Sequence, residues 1–210
     1  MIDCGADWLS QIFKLSPDAI IITHAHPDHV NGLKNGSPCP VYATQETWTI
    51  MRNFTIEPSQ KHIIKLRKPV TINGVQFEAF EVEHSVIAPA VGYRITAGKV
   101  ALFYVPDLVS IKQKNEALAQ CKLYIGDGAI ISRNLLIRMR DQQHIGHCSI
   151  KEQLSWCKQA GIPRAIFTHC GTEIVTENHT IIEEKITALG NALDVNATIA
   201  FDGRKVQLRG

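Results

Sequence analysis

No stretch of this chain approaches the roughly 18 consecutive apolar residues that a membrane-spanning helix needs, so no membrane partner is expected. The opening MIDCGADW lacks the basic and apolar regions of a secretory leader, which makes the cytoplasm the expected location. The six cysteines, Cys4, Cys39, Cys121, Cys148, Cys157 and Cys170, contain no CxxC pair. Their wide spacing argues against a secreted disulfide framework and leaves buried or half-buried free thiols as the expectation. A formal net charge of +2 is too small to point to nucleic acid or a membrane surface. Repeats, low-complexity tracts and linkers are absent as well. What remains is an ordinary globular composition, 45% apolar and 20% charged, in 210 residues. That length suits a single domain, 1–210, with a sizeable core. Nine histidines are many for such a chain, and most sit in short polar clusters.

Apolar runs rich in β-branched residues alternate with helical patterns, which reads as an α/β fold. Strands are expected at 18–23, 62–66, 75–83, 91–96, 99–105, 122–126, 164–168, 197–201 and 204–208. Helices are expected at 27–33, 45–52, 110–119, 149–160 and 178–192. Ser149 with Glu152 three residues on makes a capping box, and Gly161 a stop. Asn178 can cap a helix whose Ile181, Ile182, Ile186 and Leu189 form an apolar stripe. Asn73-Gly74 and Asp202-Gly203 look like hairpin turns. Hairpins and strand–helix units in one chain imply sheets packed between helices.

The segment IIITHAHPDHVNGL concentrates the chemistry. An apolar strand ends at Thr23, and His24, His26, Asp28 and His29 follow before a helix begins. Residues two apart on extended backbone point the same way, so His24 and His26 can reach one metal together. Pro27 bends the chain, and Asp28 and His29 can turn toward a second ion. Imidazole and carboxylate suit borderline and hard divalent cations. Three further apolar strands end on a polar group: VQFEAFEVEHS on His84, VALFYVPDL on Asp107 and RAIFTHCG on His169. Each would spoil a core unless it lay at the rim where strand ends converge, which is where open α/β sheets place their sites.

HAHPDH resembles the HxHxDH signature of the metallo-β-lactamase superfamily, and His84, Asp107 and His169 match its remaining metal positions in order. Asp3 in IDCG is similar to the family's first motif, an acid that supports the ligands from behind. The resemblance implies an αββα four-layer sandwich with the site along one edge. It assigns His24, His26 and His84 to one ion, Asp28, His29 and His169 to a second, and Asp107 to a bridge between them. Two divalent ions are implied, zinc first, with manganese or iron also suited to a His/Asp set. His26 stands where iron-type redox relatives carry Glu, which favours hydrolysis.

The stretch HIGHCSIKEQLSWCKQAGIPRAIFTHCG is similar to the phosphodiesterase branch of that superfamily, which includes ribonuclease Z and the cyclic phosphodiesterase of phosphonate breakdown. By that resemblance His147 clamps phosphate or protonates the leaving oxygen; its alternative is a helix-preceding His that packs or caps. Asp127 either orients His147 or simply ends its strand. The segments YVPDL, GDGAI, GH and FDG also resemble the B protein of pyrroloquinoline quinone biosynthesis, whose likeness is partial. Arg133, Arg138 and Arg140 either meet an anionic substrate or form a solvated surface. His144, His62 and His179 read as loop, surface or helix-terminus residues. Strands that precede the IDCG segment in this branch are missing, which implies a shortened N-terminal half that is either rebuilt economically or covered at its exposed edge by another subunit, with a homodimer preferred. No long inserted arm for tRNA is evident, so the ribonuclease Z function itself is disfavoured, and nucleic acid stays a possible but not favoured partner beside a small phosphoester.

The expected activity is therefore hydrolysis of a small or cyclic phosphodiester by hydroxide held between two ions. Asp28 would ligate and hold the nucleophile's proton, and His147 would protonate the departing oxygen. Two alternatives remain: a lactone or thioester hydrolase on the same metals, and a non-catalytic, metal-stabilised ligand-binding protein.

Overall fold

A computed structural model describes residues 1–132 and 136–208. The first half runs α1 (Ile12–Leu15), β1 (Ile20–Ile21), α2 (Pro27–Val30), β2 (Val41–Ala43), α3 (Gln45–Ile50), β3 (Lys61–Ile63), β4 (Val70–Ile72), β5 (Val75–Glu83) and β6 (Ala90–Ala97). Then follow β7 (Val100–Tyr104), β8 (Ser110–Ile111), α4 (Lys114–Leu118), β9 (Leu123–Asp127), β10 (Arg138–Arg140) and β11 (Gln143–Ile145). The chain continues with α5 (Ile150–Ala160), β12 (Arg164–Thr168), α6 (Thr172–Val175), α7 (His179–Asn191) and β13 (Asn196–Ile199).

Alternation along the strands separates the apolar side chains into layers. Ile20 and Ile22 pack with Ile12, Leu33, Trp48 and Met51 beneath the first three helices, whereas Ile21 faces the other way. Ile21 meets Ala79, Val91 and Tyr93, and this second cluster lies between the two sheets. Phe80 and Val82 of β5 and Phe103 of β7 point to the far side, against Leu118, Leu154 and Ile186 of α4, α5 and α7. Three apolar interfaces thus separate four layers, helices–sheet–sheet–helices, the α/β sandwich expected from the sequence.

The smaller sheet has parallel order β1-β2-β3, and the larger runs β13-β12-β9-β7-β6-β5-β4 with β8 paired to β5. Direction within the larger sheet decides what its edge can hold. β5 and β7 are both antiparallel to β6 and so run the same way. β9 is parallel to β7, and β12 to β9. The carboxyl ends of β5, β7, β9 and β12 therefore share one edge. The smaller sheet is tied to that edge by two bonds: Tyr93 Oη–H donates to Ile22 O at 2.7 Å, and Val91 N–H to Thr23 O at 3.0 Å.

Local signals act as anticipated. Ser149 Oγ accepts from Glu152 N at 3.3 Å, Gly161 ends α5 in the left-handed region, and Asn178 Oδ1 accepts from Thr180 N at 2.9 Å. Asn73 and Gly74, with φ of 49° and 78°, turn β4 into β5.

Two expected elements are not formed as anticipated. The strand at 204–208 is not formed: the Asp202-Gly203 turn closes, but Arg204 Nη1 donates to Ile199 O at 2.7 Å and occupies an acceptor on the β13 edge that a returning strand would need. The helix at 110–119 begins only at Lys114, because Ser110 and Ile111 instead pair with Glu83 and Val82 at the end of β5. The hairpin β10–β11, the short strands β2 and β4, and the short helices α1 and α6 were not anticipated. His144, expected in a loop, is on β11. Arg138 and Arg140 lie exposed on β10, while Arg133 is outside the described residues.

Phe103 is fully buried on the helix-facing side of the larger sheet. Phe103→Ala should lower unfolding free energy by about 3–5 kcal/mol, the range for a large aromatic removed from a packed core. Urea denaturation followed by tryptophan fluorescence reads this directly; a loss below about 1 kcal/mol would show that this layer is not a close-packed core.

Candidate metal centre

The seven side chains singled out by sequence reach the sandwich edge from separate elements and meet there. His24 and His26 follow β1, Asp28 and His29 lie in α2, and His84, Asp107 and His169 follow β5, β7 and β12. His24, His26 and His84 form one cluster, Asp28, His29 and His169 a second, and Asp107 joins His24 and His29 in a third that shares members with both.

Hydrogen bonds on the outer side of the His24, His29 and His84 rings decide which of their nitrogens faces inward. His84 Nδ1–H donates to Gly146 O at 2.9 Å. His29 Nδ1–H donates to Asp3 Oδ2 at 2.8 Å. Thr23 Oγ1–H donates to Asp3 Oδ2 at 2.8 Å, which leaves the Thr23 oxygen to accept from His24 Nδ1–H at 3.0 Å. Asp3 Oδ1 also accepts from Thr23 N at 2.8 Å. One carboxylate thus orients His29 directly and His24 through Thr23. Asp3 holds this post with φ of 57°, a left-handed conformation that Asp tolerates better than most residues.

With their protons on Nδ1, His24 and His84 present bare Nε2 atoms at 3.0 and 3.2 Å from His26 Nδ1. Burial lowers the pKa of all three, His84 to about 4, so they are neutral at pH 7. These three nitrogens lie close enough to share one cation, or to share the proton of His26 Nδ1. Nearby, His29 Nε2 lies 2.8 Å from Asp107 Oδ2 without making a hydrogen bond with it. His169 puts Nδ1 3.2 Å from Asp107 Oδ1 and Nε2 3.1 Å from Asp28 Oδ2. Among the described residues, His29 Nε2, Asp107 Oδ2 and His169 Nδ1 are buried polar atoms with no hydrogen-bond partner. Such atoms are rare in folded proteins, and a bound ion accounts for them.

The charge balance agrees. Burial alone would raise Asp107, but His29, His169 and His24 hold it well below the usual carboxylate range. Burial alone would lower His29, and Asp107 and Asp3 override it to raise the group to about 10. The donor set of imidazoles and carboxylates fits zinc, manganese or iron.

His147 stands at the same rim. Its Nδ1–H donates to Asp127 Oδ2 at 2.8 Å, and the same nitrogen is 3.4 Å from Asp107 Oδ1. Burial would lower its pKa, and the Asp127 carboxylate raises it instead. Asp127 both ends β9 and orients His147, so the two readings of it were not exclusive. A cavity of about 400 Å³ opens beside His147 and His169, walled by Ala129, Ile130, Leu136 and Cys170. A larger one, about 680 Å³, adjoins it through Ile130 and Glu173 but is lined by Lys185, Ala188 and Leu189 and lies off the cluster.

Other histidines stay outside. His62 stacks on Tyr42 at 4.6 Å, His144 is 3.7 Å from Glu83, and His179 starts α7. Sequence reasoning missed Thr23, the Gly146 carbonyl and Gln153. Of these only Gln153 carried a signal, a polar residue among Ile150, Leu154 and Cys157 on the buried face of α5.

A family model described as a beta-lactamase superfamily domain matches residues 1–170. Exodeoxyribonuclease WalJ of Streptococcus pneumoniae serotype 2 is 38% identical over 79 residues, 34% of this chain and 29% of that protein. The chain thus spans less than a third of the length of that curated relative. A diphosphatase of the PhnP family superposes with a TM-score of 0.70 at 18% identity, over 99% of this chain and 79% of its own. Human tRNase Z, short form, superposes with a TM-score of 0.61 at 15% identity, covering 99% and 87%.

Because Asp3 orients two of the inward-facing imidazoles, Asp3→Ala should weaken zinc binding roughly 10- to 100-fold, the usual effect of losing a ligand's supporting partner. Competition against a fluorescent chelator measures it. Unaltered affinity would mean that Asp3 serves the backbone alone.

Proposed function

The chain belongs to the beta-lactamase superfamily, and from that premise we propose that it is a two-metal phosphodiesterase acting on a small or cyclic diester. The observation that carries the reading is His147, hydrogen-bonded to buried Asp127 and facing both the metal cluster and the adjoining cavity. A carboxylate-backed imidazole across the cluster suits a substrate whose leaving oxygen departs as an alkoxide and needs a proton, as in an alkyl diester.

His24, His26 and His84 would hold one ion and Asp28, His29 and His169 the other, with Asp107 between them. When bound, two divalent cations supply Lewis acidity, lower the pKa of water and offset charge on the phosphoryl oxygens. Zinc is the first choice. Asp28, whose side chain is 61% exposed, receives the proton of the attacking water. His147 Nε2–H delivers a proton to the departing oxygen, and Asp127 stabilises the imidazolium before transfer. Ala129, Ile130 and Leu136 exclude water from the leaving-group side. Three similar proteins, an exodeoxyribonuclease, a diphosphatase and a tRNase, are by name phosphoryl hydrolases, whereas a structural neighbour named isothiocyanate hydrolase is not.

A second reading, removal of nucleotides from a DNA end, is favoured by the likeness to the exodeoxyribonuclease. Turnover of single-stranded DNA but of no small diester would select it.

His147→Ala should reduce kcat on diphenyl phosphate by about 10²-fold or more, the size of a lost general acid. The loss on bis-p-nitrophenyl phosphate should be smaller, because nitrophenolate leaves unaided. Metal content by elemental analysis should not change. Equal turnover by wild type and variant would remove His147 from the reaction. Asp107→Ala should lose metal during dialysis under conditions in which wild type retains it, and retention of a full complement would reject the shared cluster.

A further inference from the structure

Gln153 is fully buried in the apolar stripe of α5. Burying a primary amide is costly unless its two donors and two acceptor sites are all paired. Here they are. Oε1 accepts from Tyr124 Oη–H at 2.9 Å and from Asp127 N–H at 3.0 Å. Nε2 donates to Asp127 O at 2.8 Å and to Cys148 O at 3.1 Å. A backbone N–H can only donate and a carbonyl only accept, so these partners leave the amide one orientation. The amide also needs room against β9: a Cβ on Gly126 would overlap Gln153 Oε1.

The amide therefore spans two segments that carry one functional pair. On one side it grips both backbone groups of Asp127, whose Oδ1 accepts from Ala129 N at 2.8 Å and whose Oδ2 accepts from Leu108 N at 3.1 Å and from His147 Nδ1. On the other side it grips the residue that follows His147. Cys148 is held besides by its own N–H, which donates to Leu108 O at 2.7 Å. A polar residue on the core face of a helix is a poor choice for packing alone, since Leu or Met fills similar volume without needing partners.

We infer that Gln153 is a positioning residue for His147, setting the spacing between Asp127 and Cys148 and so the bond that aims His147 at the cluster. The inference rests on the proton-donor role proposed above, but its geometric half is independent of any activity. Gln153→Glu keeps the shape and sets a carboxylate oxygen against two carbonyls. Gln153→Leu removes every bond at similar volume. Tyr124→Phe withdraws only one of them and serves if the stronger variants do not fold.

In zinc-loaded, ¹⁵N-histidine-labelled protein, the downfield Nδ1–H proton of His147, assigned by its absence in His147→Ala, should shift upfield or broaden in Gln153→Leu and Gln153→Glu, and by less in Tyr124→Phe. Kinetically, kcat should fall ~10-fold or more with KM within about two-fold, as misplacement rather than lost binding predicts. The loss should grow with leaving-group pKa across a series of aryl diesters, at unchanged zinc content. An unmoved His147 resonance in every folded variant overturns the inference. A shifted resonance in a protein whose wild type cleaves no diester would uphold the positioning and reject the functional reading alone. A shifted resonance with kcat lowered equally for every leaving group would reject the link to proton donation.

Discussion

A carboxylate buried among imidazoles is the interaction on which the rest of this structure depends. Asp107 stands within reach of His24, His29, His147 and His169, with its charge held on by their proximity. In a low-dielectric rim such a charge costs several kcal/mol unless it is paired and hydrogen-bonded. One of its oxygens finds no hydrogen bond among the described residues. His24, His26 and His84 turn three more ligand-type nitrogens toward one another nearby. A cation held among these groups would pair the orphaned oxygen. The site is therefore best understood as a set of donors arranged around positive charge, and the fold as the device that keeps them arranged.

That device works by joining two sheets at one edge. The larger sheet delivers His84, Asp107, Asp127 and His169 because its β5, β7, β9 and β12 end together. The smaller one delivers His24 to His29 and is held in register by Tyr93 and Val91. Within the smaller sheet's half, Asp3 braces Thr23 and His29. Asp3 and His169 both occupy the left-handed region, at a cost of roughly 1–3 kcal/mol each that surrounding contacts must offset. Strain of this kind persists where a side chain has to point one way.

Around the donors, the polar network becomes deeper and more specific. The chain from Tyr124 through Gln153 and Asp127 to His147 is buried over most of its length and fully paired, which makes it rigid. It reaches the cluster from the side of the cavity lined by Ala129, Ile130 and Leu136.

Much of this was legible in advance. The HAHPDH run and three apolar strands that each stop at a ligand-type residue disclose the donor set, because no core tolerates such groups within it. Ser149, Gly161, Asn178 and Asn73-Gly74 disclose element boundaries, since caps and turns are local chemistry. Residues 204–208 misled because their alternating pattern resembles a strand, yet pairing depends on a free edge that Arg204 obstructs. Residues 110–119 misled because Ser110 and Ile111 found a non-local partner in β5. Thr23 and Gly146 could not be singled out: a hydroxyl and a carbonyl carry no mark of the ring they orient. By itself the sequence determined, through polarity and periodicity, which side chains could bind a cation and that they would follow the ends of apolar strands; their division between two ions came from the family resemblance. Only the tertiary structure decided that these ends meet, which nitrogen of each ring turns inward, and that Gln153 spans Asp127 and Cys148, because those outcomes depend on strand direction and on contacts between residues far apart in the chain.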